Sequence, residues 1–143
     1  MTRVSFHFNV PQRLVYACRL LRKATRQNAR IAVTGEARTL AELDRALWSF
    51  EPIEFIPHVL LRDGEALPER LRATPVCLTA SPAAAPHHEV LLNLGAQPPA
   101  GFESFERLIE IVSTDEAERN AARARWKHYA ARGYAIDKHE VAA

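Results

Sequence analysis

Residues 118–133 read ERNAARARWKHYAARG and set Arg119, Arg123 and Lys127 at successive steps of four, with Trp126 among them. Side chains three and four apart on an α-helix share one face, so these four project together. The chemistry open to such a face is recognition of an anion: long cations engage carboxylates or phosphates, and a flat indole adds apolar contact area beside them. Charge along this part of the chain is segregated. Aspartates and glutamates gather between Glu103 and Glu118, then Arg119, Arg123, Arg125, Lys127 and Arg132 follow with no acid until Asp137. A local positive field can attract an acidic partner even though the whole chain carries only +2, from 19 basic and 17 acidic side chains.

Bond-making chemistry has no comparable candidate. The five glycines are scattered singly, so neither a phosphate-cradling P-loop nor a dinucleotide-binding glycine fingerprint can be assembled. A nucleophile elbow and a paired-histidine zinc helix are also missing. His87, His88 and Glu89 could be imagined as metal ligands with Cys77, but adjacent histidines point apart and nothing fixes the segment holding them, so a solvated loop is expected there. Asp44, Asp63 and Glu110 lie in different elements and make no carboxylate pair for general acid and base work. The expectation is no catalytic residue, no metal and no cofactor.

The elements that must position the cationic face read as an α/β alternation. Val4, Phe6 and Phe8 alternate with Ser5, His7 and Asn9, a strand with one buried face. Pro11 suits the first turn of a helix, in which Leu14, Cys18 and Leu21 form the inner stripe and Arg19, Arg22, Lys23 and Arg26 cover much of the rest. The run 31–34, IAVT, looks like a strand buried on both faces, as in a parallel sheet. Thr39 and Glu42 have capping-box spacing for a second helix with Leu40, Leu43 and Leu47 inward. Residues 53–61, IEFIPHVLL, read as a third extended segment that Pro57 confines to an edge or bulge. Residues 62–88, with Pro68, Pro75, Pro82, Pro86 and an alanine run, read as a mobile connection interrupted by a short strand at 76–79. Strands are expected at 89–94 and 107–112, then a final helix capped by Ser113 and Glu116 and stopped at Gly133. At 143 residues and 48% apolar composition the chain is expected to form one domain over residues 1–143. Cys18 and Cys77 sit in separate apolar runs, which favours buried reduced thiols. With no leader-like N-terminus and no stretch of membrane-spanning length, the expected location is the cytoplasm.

The stretch ELDRALWSFEPIEFIPH at 42–58, followed by FERLIEIVSTDEAERNAARARWKHYAARGY at 105–134, resembles the chi subunit of bacterial DNA polymerase III. The opening VSFHFN and the segment EVLLNLG also fall where that family has them, so the resemblance covers nearly the whole chain apart from the Ala/Pro segment. It implies a three-layer, Rossmann-like α/β fold with a mostly parallel central sheet. It also implies a non-catalytic adaptor of the replicative polymerase, gripping the acidic C-terminal tail of single-stranded-DNA-binding protein on one surface. A second surface would hold the psi subunit, which connects to the clamp loader. By that resemblance Arg119 and Arg123 stand at the tail-binding basic positions, with arginine at the first where lysine is familiar, and Trp126 stands where tyrosine is also found. Lys127 follows as the family's lysine does, and Val112 would wall the pocket for the tail's terminal phenylalanine. Trp48 and Phe55 match the family's aromatic psi-contact positions, and Trp48 falls one residue past the inner leucine stripe of its helix.

Blander and rival readings are distinguishable. Trp126 could pack beneath its helix, whose many alanines make the inner face hard to choose, and Trp48 and Phe55 could close a core. Direct nucleic-acid binding, through residues 19–30 or the C-terminal stripe, would show a steep salt dependence, whereas a short peptide held partly by an apolar pocket would lose less affinity with salt. A degenerate α/β enzyme would need a deep pocket with titratable groups.

Overall fold

A computed structural model describes residues 1–49, 55–62 and 65–141. Among the described residues seven strands form one all-parallel sheet: β1 (Arg3–Val10), β2 (Ile31–Thr34), β3 (His58–Leu61), β4 (Val76–Thr79), β5 (Val90–Asn93), β6 (Arg107–Ser113) and β7 (Ile136–Glu140). Their spatial order is β3-β4-β2-β5-β6-β1-β7. Helices α1 (Arg13–Arg26) and α2 (Ala37–Ser49) cover one face, and α3 (Glu116–Ala131) covers the other. This is the expected three-layer α/β arrangement, with the sheet wholly rather than mostly parallel.

The burial follows from strand position. β2 and β4 are central and every residue in them is buried, which explains why IAVT and VCLT read as unbroken small apolar runs. Leu40, Leu43 and Leu47 of α2 are buried with Cys18 and Leu21 of α1 against one face. Both cysteines are free and buried, and burial pushes each thiol up to about 11.

In β1 the alternation carries two jobs. Val4 and Phe6 pair with Leu108 and Glu110 of β6 and face α3, whereas Ser5 and His7 pair with Ile109 and Ile111 and face α1. A one-residue register shift between His7 and Val10 contains Asn9 at φ +65, a left-handed conformation that asparagine tolerates. The bulge turns Val10 into the α1 side of the core while Phe8 stays on the α3 side.

Several local expectations shift. α1 begins at Arg13 with Gln12 at its N-cap, so Pro11 precedes the helix instead of forming its first turn. α2 begins at Ala37, and Leu40 N–H already bonds to Glu36 O, which puts Thr39 inside the helix and removes its capping role. At α3 the cap is Asp115, whose side chain accepts from Glu118 N–H, while Ser113 ends β6 and its Oγ accepts from Asp115 N–H. An Asp at the N-cap competes better than a Ser two residues upstream once the strand holds that Ser. β3 starts only after Pro57 and lies at the sheet edge as expected; residues 53–54 lie outside the described residues.

Two regions differ more. Residues 81–88 are expected to be solvated, yet Pro82, Ala85 and His87 are buried and a short 3-10 turn spans Pro82–Ala84. Burial lowers the pKa of His87, helped by the neighbouring Arg30. After Gly133, which ends the helix at φ +80, the chain makes a further strand, β7, paired in parallel with β1. No helix among the described residues is long and apolar enough to cross a membrane.

Candidate functional site

The rotational setting of α3 decides what its basic residues can do, and a buried ion pair fixes it. Arg125, only 4% exposed, points inward: its Nε donates to Glu110 Oε1 at 3.0 Å, and a terminal nitrogen donates to Ala96 O at 3.1 Å. Glu110 is fully buried in β6 and also accepts from Tyr129 Oη at 2.6 Å and from Asn93 Nδ2 at 3.1 Å. Burial raises the Glu110 pKa above its ordinary value, opposed by Arg125 and by the hydrogen bonds from Tyr129 and Asn93. Arg125 therefore does not belong to the external cationic run in which its charge alone would place it.

With Arg125, Ala122 and Tyr129 turned in, Arg119, Arg123 and Lys127 are turned out and all three are exposed. Trp126 is half-buried. Its ring packs on Phe6 with centroids 5.0 Å apart, and Lys138 Nζ lies 5.6 Å from the indole centroid in a cation–π contact. Beneath this face opens a cavity of about 510 Å³ on which Arg119, Arg123, Trp126, Lys127 and Val112 all converge. Val112 is 7% exposed and lies near the end of β6, where the strand passes beneath α3.

Four further residues line the same cavity: Phe6, Phe8, Ala122 and Lys138. The alternation of β1 marks Phe6 and Phe8 as facing one layer, but only the parallel pairing of Phe6 with Lys138 brings a third strand and a fourth cation to the rim. Among the described residues none of Arg119, Arg123, Lys127 and Lys138 is in an ion pair; Arg123 donates only to Asn120 Oδ1, at 2.9 Å. The arrangement is an apolar hollow ringed by cations without fixed counter-charges. It can desolvate a hydrophobic side chain while holding carboxylates at its edge.

Trp48 and Phe55 form a separate feature some distance along the chain. They are 61% and 60% exposed, so neither closes a core. Their rings lie 5.2 Å apart, and Trp48 also meets His58 edge-on at 4.9 Å. His58 Nδ1 donates to Ile56 O at 2.7 Å, which fixes the ring under the indole, and Asp44 Oδ1 lies 3.1 Å from Nε2 without hydrogen-bonding to it. Among the described residues no group of three or more His, Cys, Asp or Glu side chains is placed to hold a metal ion.

Comparison with known proteins bears on the family of the chain. The chain is 35% identical to the DNA polymerase III subunit chi of Pseudomonas aeruginosa over 99% of its own length and 98% of that protein. It is 28% identical to the same subunit of Haemophilus influenzae, over 87% and 85% of the two chains. The C-terminal domain of S. cerevisiae Dbp5, solved bound to Gle1, aligns with a TM-score of 0.58 over 98% of this chain and 90% of that one, at 11% identity, which is a likeness of fold alone. Residues 1–137 match the family described as DNA polymerase III chi subunit, HolC, and the chain belongs to that family.

Proposed function

We propose that this chain is a non-catalytic adaptor of the DNA polymerase III holoenzyme, acting in the cytoplasm in DNA replication. On this reading the α3 cavity receives the acidic C-terminal tail of single-stranded-DNA-binding protein, and the Trp48–Phe55 surface holds a psi subunit that leads to the clamp loader. The supporting observation is the convergence of Arg119, Arg123, Trp126, Lys127 and Val112 on one cation-rimmed apolar cavity. A tail that ends in an aromatic residue with a free carboxylate presents those two chemistries together. The ring enters among Phe6, Phe8, Val112 and Trp126. The terminal carboxylate and the acids before it meet Arg119, Arg123 and Lys127, and arginine can bind a carboxylate through two parallel hydrogen bonds. Trp48 and Phe55 support the second contact as two adjacent, exposed aromatic rings, the residue type on which protein interfaces anchor.

The test is titration with a peptide copying the tail, with and without its last residue. Micromolar affinity, about 8 kcal/mol, is expected for the full peptide. It should fall at least about tenfold on removal of the terminal aromatic residue or in Arg123→Glu. Unchanged binding in Arg123→Glu removes the site assignment. A loss with salt as steep as that of a polyanion, indifferent to the terminal residue, would favour the rival in which the basic helix binds nucleic acid directly. Trp48→Ala should weaken the psi contact and leave peptide binding intact.

A further inference from the structure

The other face of the same strands carries a second basic cleft, of about 430 Å³. Because successive strand residues point to opposite sides, His7 reaches this cleft while its neighbours Phe6 and Phe8 line the α3 cavity. His139 of β7 does the same opposite Lys138. With His7 and His139 stand Tyr16, Arg19 and Lys23 of α1 and Arg107 of β6, and no aspartate or glutamate among the described residues lines the cleft. Asp137, on the same side of β7 and opposite Ser5, is exposed and lies outside the lining.

The cations are available and the rings are organised. Arg19 and Lys23 are exposed one turn apart, and neither is in an ion pair among the described residues. Arg107 is steadied from behind by a hydrogen bond to Ser5 Oγ at 3.4 Å. The Tyr16 hydroxyl hydrogen-bonds with His7 Nδ1, and the His7 and His139 rings lie 5.0 Å apart. Burial, and then repulsion from His139 and Arg107, pushes His7 down to about 4.

We propose that this cleft binds single-stranded nucleic acid, with phosphates on Arg19, Lys23 and Arg107 and a base against the His139 and Tyr16 rings. Cations that follow a backbone beside rings that stack a base are the general means of binding single strands. Where the α3 cavity offers phenyl and indole walls, this cleft offers imidazole and phenol rings whose polar edges can bond to a base. The available cations are spread over two elements, Arg19 and Lys23 on α1 and Arg107 on β6. A strand with several phosphates meets separated cations better than one small anion. The proposal does not depend on the tail assignment, which concerns the opposite face.

The experiment measures fluorescence anisotropy of a labelled oligothymidylate of about twelve nucleotides, within the span of known single-strand sites. Three phosphate contacts predict a fall of about 2 log units in affinity per log unit of salt. The double variant R19E/K23E is expected to bind at least about tenfold more weakly. Its affinity for the tail peptide and its circular dichroism should match those of the native chain. His139→Ala, at an exposed ring, should weaken binding without changing the salt slope. R123E, on the other face, should leave oligonucleotide binding unchanged. The proposal is overturned if the native chain does not bind the oligonucleotide at low salt, or if R123E weakens it as much as R19E/K23E. It is also overturned if thymidine monophosphate at equal nucleotide concentration displaces the oligomer, or if the acidic tail peptide displaces it from native protein and R123E alike.

Discussion

Replacing Arg125 by methionine probes the link that orients α3. Methionine keeps most of the aliphatic volume but leaves the Glu110 carboxylate with only Tyr129 and Asn93 as donors, in a site that is 0% exposed. Removing one partner of a buried ion pair costs about 3–5 kcal/mol. The remaining donors place the expected loss near the lower end, about 3 kcal/mol, or a fall in Tm of roughly 10 °C for a chain of this size. The pH dependence has a definite sign. Glu110 already holds its proton more tightly than an ordinary carboxyl because burial outweighs its partners, and loss of Arg125 raises its pKa further. A carboxyl with a raised folded-state pKa favours the folded state when protonated and loses that contribution as pH rises through the folded value. The deficit of Arg125→Met should therefore shrink as pH is lowered from 7.5 toward about 4.5, approaching the unfolded carboxyl value. Pairing it with Glu110→Gln, which removes the stranded charge, should recover at least about 2 kcal/mol at pH 7.5. Urea denaturation of the native chain and both variants at several pH values measures this, and tail-peptide titration of the folded variants reports whether the helix face has turned. If Arg125→Met at pH 7.5 is within about 1 kcal/mol of the native chain and insensitive to acid, the pair does not hold the helix.

Other perturbations read separate parts of the molecule. Lys138→Ala should weaken tail-peptide binding about two- to fivefold in the same titration, as expected for one cation at a partly exposed rim, with stability changed by less than about 0.5 kcal/mol. Gly133→Ala should destabilise by about 1 kcal/mol in denaturation, because φ +80 strains a Cβ although open space surrounds it. Asp115→Ala should cost about 1 kcal/mol through loss of the bond to Glu118 N–H, measured in the same way. Cys18 and Cys77, each raised to about 11 by burial, should resist a thiol-specific reagent at pH 8 in the folded chain and react promptly in denaturant.

Much of the frame was legible because its residues have one job each. Strands sealed between two layers must be apolar throughout, so IAVT, VCLT and VLLN announced themselves, and the leucines of α2 could face only inward. β7 was missed because IDKHE has no buried row: an edge strand can be held by backbone pairing and needs no apolar alternation. Arg125 was read as part of the surface run because charge pattern does not report burial, and its partner Glu110 comes from a strand with no special spacing to it. The cavity residues on α3 share a face by helical period and were legible as a group, whereas Lys138 reaches them only through the pairing of β1 with β7. Trp48 could be placed one position past the leucine stripe, but its exposure depended on how α2 meets β3.

The strand that closes the sheet also limits what can be added to it. β7 presents Asp137, Lys138, His139 and Glu140 along a rim whose residues are nearly all in water. A further strand docking there would have to accommodate ionic side chains on both its flanks and would gain almost no apolar shelter in return. This edge of the sheet is thereby guarded against zippering with its own kind, without a proline in the strand.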